Sequence, residues 1–163
     1  MKTSGLDIEM EKFKALMDKA PEIASRALYK GAGVMADEYK RAAAGMPTEK
    51  NRYVGPNDPP RHATNAEKNA VVRGIGIARF RKNVDSVDTS VGINSSGYAA
   101  NIKTKKYPNG KPIPLIANGI NSGSSFMVKY PFARKAEASG KAKAVAAMDA
   151  EGQKLIDEVT SNG

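Results

Sequence analysis

Apolar residues in the opening segment recur with helical spacing. Met10, Phe13, Met17 and Ala20 fall at i, i+3, i+7 and i+10, with Leu16 widening the stripe and Glu9, Glu11, Lys12 and Lys14 facing away. Pro21 interrupts the stripe. Proline fits the first turn of a helix, where its missing N–H is not needed. The pattern therefore predicts one helix to Ala20 and a second from Pro21 to about Ala44. The second buries Ala24, Ala27, Leu28, Gly31, Met35, Tyr39 and Ala42, and Gly45 and Pro47 end it.

Residues 45–70 have neither a helical nor a strand period and are rich in Pro, Gly and Asn. Tyr53 and Val54 are their lone apolar anchors. Loops this long inside a compact domain are uncommon and usually functional, so the segment is expected to be an extended basic arm that orders on a partner. A β region is expected over 71–130. Val71, Val72, Ile75, Ile77 and Phe80 have strand composition, as do Val84, Val87, Val91 and Ile93, with a Gly92–Gly97 turn after them. Tyr98–Lys105 is a further strand candidate, Tyr107-Pro108-Asn109-Gly110 a turn, and Ile113, Leu115 and Ile116 a short edge strand between prolines. Gly119–Ser125 reads as a loop. Pro131 opens a last helix, in which eight alanines lie between Ala133 and Ala150 and the apolar face is Val145, Met148, Gly152, Leu155 and Val159. The expected fold class is α+β: two N-terminal helices and one C-terminal helix packed on a small antiparallel sheet, with a long extended arm, in a single domain over 1–163.

Composition narrows what such a domain does. Hydrophobic residues make up 40% of the 163, but only 6% are aromatic and none is Trp. Much of the apolar total is Ala, which removes little area from water, so neighbouring subunits are expected to complete the core. The absence of cysteine excludes disulfides, thiolate nucleophiles and Cys-ligated zinc. No window approaches a membrane span, and the charged N-terminal stretch does not read as a signal peptide. The net charge of +9 is concentrated in the middle, where residues 40–82 hold 10 basic and 3 acidic side chains, while the terminal segments are balanced. The partner of that middle is expected to be acidic: nucleic acid, or another protein's negative face.

Catalytic constellations do not emerge. His62 is the sole histidine and stands without partners for acid–base work. Gly74-Ile75-Gly76 and the glycines around Asn121 lack the third glycine or the lysine of phosphate-binding loops. Asp85 and Asp88 fall on opposite faces of a strand, and Asp37 and Glu38 read as a solvated helix face. The chain is expected not to be an enzyme and to hold no cofactor or metal. Arg73, Arg79, Arg81 and Lys82, with Lys50, Arg52, Arg61 and Lys68, and with Tyr53 and Phe80 as stacking aromatics, would suit nucleic acid. No recognised nucleic-acid motif accompanies them, so a basic rim meeting an acidic neighbouring subunit is slightly preferred.

Three stretches carry a resemblance to a known family. They are the opening Ser4-Gly5-Leu6-Asp7 with the Ala-rich helix ending Lys40-Arg41-Ala42-Ala43-Ala44, the central Val91-Gly92-Ile93, and Asn118–Met127 running into Tyr130-Pro131-Phe132-Ala133-Arg134. Together they resemble the head–tail joining family of tailed phages, the "gene product ten"-like neck or tail-completion proteins, to which minor tail protein Z is related. The chain departs from that pattern at Gly45–Asn51, at Ala117–Ile120 and at Lys135, where the family commonly has a second proline. The resemblance implies a non-catalytic virion subunit, assembled in the host cytoplasm into a homo-oligomeric ring of six copies, or of twelve, around the DNA channel. Its implied partners are the connector or head-closure protein, the tail terminator and the passing DNA. Arg52, Tyr53, Val54, Arg61 and His62 of the arm are then the expected subunit contacts, and Phe126, Met127, Tyr130, Pro131 and Phe132 the expected anchor of the last helix.

Overall fold

The computed structural model describes residues 4–82 and 86–161. Val84 and Asp85 of the expected strand lie outside the described residues, as do the side chains of residues 4–8 and Lys82. The fold is α+β, with four helices and three two-stranded antiparallel ladders among the described residues.

Helix α1 runs unbroken from Ser4 to Ala44 with Pro21 inside it, so the expected division into two helices does not occur. An interior proline removes a hydrogen bond and crowds the preceding turn, at a cost of about 3 kcal/mol. Helix α4, Phe132–Ser161, acts as a splint. Its Leu155, Glu158 and Val159 line one cleft with Ala15, Asp18 and Lys19 before the proline and Glu22, Ile23 and Arg26 after it.

The two long helices pack antiparallel and close. A Cβ on Gly31 would stand 2.4 Å from Met148 Cγ, and one on Gly140 would stand 2.9 Å from Met35 Sδ. Small residues thus set the helix separation. Of the face expected for α4, Leu155 is buried and Met148 and Gly152 meet Gly31 and Ala27 of α1, while Val145 is exposed; the seam continues through Ala144, Gly140 and Ala136. Across the seam Glu38 accepts bonds from Lys143 Nζ at 2.8 Å and Ser139 Oγ at 2.9 Å, and from Arg41 on its own helix. Glu38 is therefore buried and engaged rather than part of a solvated face. The bonds from Lys143 foremost, then Ser139, and more weakly Arg41, outweigh burial and bring its carboxyl down to about 2.

Helix α2, Asn65–Gly74, takes in the last residues of the expected arm together with Val71 and Val72, which were expected on a strand. Thr64 and Glu67 form a reciprocal capping box, and Glu67, Ala70, Val71 and Gly74 are buried at helical spacing. Helix α3, Ile113–Ser122, replaces the expected edge strand and loop. Pro112 at its N-cap and Pro114 in its first turn need no amide, and Ile113, Ile116, Ala117 and Ile120 are buried at i, i+3, i+4 and i+7.

Strands β1 (Ile75–Ile77) and β4 (Val91–Ile93) pair, as do β2 (Arg81–Lys82) and β3 (Val87–Asp88). The Ala78 amide bonding to Ser90 O at 2.8 Å continues the same ribbon between them. The expected strand Tyr98–Lys105 reduces to β5, Tyr98–Ala99, paired with β6, Lys111–Pro112. The expected single sheet is thus three short ladders, and the core is mainly helical. Val71, Ile116 and Ile120 are its largest fully buried side chains, joined by Ala43, Met46, Ile75, Met127 and Phe132.

Candidate assembly interface

The segment between α1 and α2 folds back at its root and projects at its tip. Met46 enters the core. The Glu49 amide bonds to Ala63 O at 3.0 Å, closing the outgoing and returning strands against each other. On the return, the Arg61 amide bonds to Phe126 O at 3.1 Å, and the Val128 amide to Arg61 O at 2.8 Å. The arm is therefore a tethered loop over 49–60, not a free extension from 45 to 70. The physical reason is local: Thr64 caps α2 and Arg61 pairs with the segment before α4.

Of the five arm residues expected to touch neighbours, the structure divides the roles. Tyr53 is 87% exposed near the loop's tip, whereas Val54 is buried. Arg52 braces the loop, donating to Glu49 Oε1 and to Pro59 O, both at 2.9 Å. Glu49 lies below the usual carboxylate range, held there first by the His62 backbone amide and then by Arg52. Arg61 is turned inward. Its two terminal nitrogens donate to the two oxygens of Glu67, each at 2.7 Å, and one also donates to His62 O at 2.9 Å. Burial pushes the Glu67 carboxyl up, but Arg61 and the Thr64 amide and hydroxyl together outweigh it and hold it low. The same pair raises Arg61 above its ordinary value. This clasp fixes the loop root to α2. The Thr64-x-x-Glu67 signature was present in the sequence; the arginine that completes it was not legible there.

The expected helix anchor is largely brought together. Met127 and Phe132 are buried in the core, with Tyr130 packed against it and Lys135 Nζ 3.8 Å from the Tyr130 ring centroid. The Tyr130 amide bonds to Ile120 O at 2.8 Å, and Pro131 O accepts the Lys135 amide as α4 begins. Gly123, at φ 75°, ends α3, and a Cβ there would stand 2.8 Å from Lys129 Cβ. Phe126 departs from the expectation. It is 58% exposed, on the turn that pairs with Arg61.

Arg73, Arg79 and Arg81 are exposed at the end of α2 and along the β1–β2 side of the ribbon, and no ion pair joins them among the described residues. Arg73 Nε caps its own helix at Asn69 O, 3.2 Å away. Phe80, expected as a stacking aromatic, instead packs on Tyr29 of α1 with ring centroids 5.9 Å apart. A second basic feature was missed in the sequence. Lys50, Lys103 and Lys111 line a cleft of about 650 Å3 at the N-terminus of α2, whose two carboxylates, Glu49 and Glu67, are already held by arginines. Those lysines are distant in sequence, so only the β5–β6 pairing brings them beside the arm.

Among the described residues no group of three or more His or acidic side chains is placed to hold a metal ion, and no helix is long and apolar enough to cross a membrane. Comparisons with protein-family models, curated proteins and solved structures give no match.

Proposed function

We propose that this chain is a non-catalytic structural subunit of a tailed-phage neck, one of six or twelve copies in a ring between the head connector and the tail. The observation that carries this reading is the pairing of two exposed aromatics with a rigid mount. Tyr53 and Phe126 project from a loop and a turn that are hydrogen-bonded to each other through Arg61, and the Arg61–Glu67 clasp ties both to the core. Side chains of this size on a braced loop suit contact with a neighbouring subunit, because their burial adds apolar area without an ordering cost in the loop root. The sequence resemblance supplies the kind of assembly.

In this reading the loop grips the adjoining copy, and the basic ribbon and lysine cleft face DNA in the channel or acidic surfaces of the connector and tail terminator. The work is geometric: the subunit adapts one ring's surface to the next. Stopping its translation in the encoding phage is expected to leave filled heads and separate tails, restored by the gene in trans. Infectious particles in normal numbers without it would refute the neck role. Native mass spectrometry tests the ring separately.

A second reading, a small basic nucleic-acid-binding protein, is favoured by the exposed Arg73, Arg79 and Arg81, which have no ion pair among the described residues, and by the lysine cleft. It requires duplex or single-strand binding that weakens steeply with salt. If replacing the three arginines by Ala leaves affinity and salt slope unchanged, that reading fails.

A further inference from the structure

The first half of α1 carries an apolar stripe with no counterpart among the described residues of its own chain. Met10, Phe13 and Met17 are 62%, 66% and 62% exposed. Single exposed apolar residues are ordinary, but three in register along one helix face make a contiguous patch. Helix α4 does not cover it. The cleft between the two helices is lined on α1 by Ala15, Asp18, Lys19 and Glu22. At 100° per residue, Met10, Phe13 and Met17 lie roughly half a turn around the helix from that cleft.

We infer that this stripe is the seam of a parallel pairing with the same helical segment of a second copy of this chain. Charge identifies the occupant. With Met10 and Met17 at the a positions of a heptad and Phe13 at d, Glu9 falls at g and Lys14 at the following e. In an unstaggered parallel pair, Glu9 of each copy faces Lys14 of the other, so symmetry makes the attraction twice. Neither residue has an ion pair within its own chain among the described residues. An antiparallel pair that keeps all three apolar residues in mutual contact sets Lys14 against Lys14 instead. The seam is short, below the roughly 1,200 Å2 of a stable specific interface. It is therefore a weak pair alone and one contact of several in an assembly. It rests on the stripe and its flanking charges, not on the neck reading.

The chain has no cysteine, so single cysteines report the geometry directly. Met10→Cys and Met17→Cys proteins, oxidised at high concentration, are expected to form disulfide-linked dimers about tenfold faster than Glu11→Cys on the opposite face. Adding Phe13→Glu to Met17→Cys is expected to bring its rate down to that of Glu11→Cys, with helical circular dichroism unchanged. Lys14→Glu is expected to slow the reaction, and Glu9→Lys added to it to restore the rate. Crosslinking no faster than Glu11→Cys overturns the pairing. Faster reaction between Met10→Cys and Met17→Cys than within either overturns the parallel arrangement. A phage that assembles normally without this gene would remove the neck role and leave these rates untouched.

Discussion

Replacing Arg61 by Ala tests what holds the loop root to the domain. Arg61 donates two 2.7 Å bonds to Glu67, whose side chain is buried and which keeps only the capping-box bonds once the guanidinium is gone. Breaking such a pair from one side leaves a buried carboxylate uncompensated, at about 3–5 kcal/mol. Arg61 retains some solvent contact and Thr64 still donates to Glu67, so a loss of about 3 kcal/mol is expected. In a domain of this size that lowers the melting temperature by roughly 6–12 °C. The pH dependence has a definite sign. Glu67 is held below its ordinary value in the folded protein, so its contribution is complete above that value and is lost as pH falls through the lowered one. Without Arg61 the carboxyl loses the main partner that offsets its burial, so its value rises from the lowered one and the loss of stability on acidification shrinks in the variant. Glu67→Gln keeps the cap acceptor and is expected to cost less. Urea unfolding across neutral to acid pH measures all three proteins. A loss under about 1 kcal/mol for Arg61→Ala, with the wild-type pH profile retained, would refute the clasp.

Two glycines on the paired helices are expected to respond oppositely to Ala. Gly33→Ala meets nothing within 4 Å and is expected to stabilise by about 0.5–1 kcal/mol, while Gly140→Ala pushes on Met35 Sδ at 2.9 Å and on Glu38 Cβ at 3.1 Å and is expected to destabilise by about 1–2 kcal/mol in thermal melts. Glu38→Gln is expected to flatten the acid limb of the stability curve. The Glu38 contribution is complete above 4.5 and lost as pH falls toward about 2, so wild type and variant should converge there; parallel curves through that window would contradict the network. Gly110→Ala combines φ 117° with a Cβ 2.7 Å from Ala99 O, and a loss of more than about 2 kcal/mol in denaturant titration is expected.

The sequence carried the fold class and the ends of the long helices, because periodicity and the Gly45–Pro47 stop are local signals. It misled where a local rule met a tertiary counterweight. Pro21 reads as a break, yet α4 spans it on both sides. Val71 and Val72 have strand composition, yet the capping box at Thr64 and the spacing of Ala70, Val71 and Gly74 commit them to a helix. Ile113–Ile116 between prolines reads as an edge strand, though Pro112 and Pro114 serve a helix start equally well. At the candidate interface, Tyr53 and the arginines of the ribbon were visible as residue types. Their division of labour was not: Arg61 turns inward because Glu67 is buried beside it, Phe80 is held by Tyr29, and the lysine cleft joins residues that only chain reversal makes neighbours.

The proline within α1 has a mechanical consequence. Pro21 has no amide to offer the Met17 carbonyl, and Ser25 Oγ donates to Pro21 O at 2.7 Å one turn later, a pattern that favours bending. The stretch from Ser4 to Pro21 is a rod of about 26 Å. With Ala15, Asp18 and Lys19 held against α4, a 20° bend, the scale of a proline kink, is open to the overhang beyond them, about 16 Å long, and carries its far end about 6 Å. In the proposed pairing, copies joined through that rod would tolerate unequal spacing and tilt, as a gasket does between surfaces that do not match.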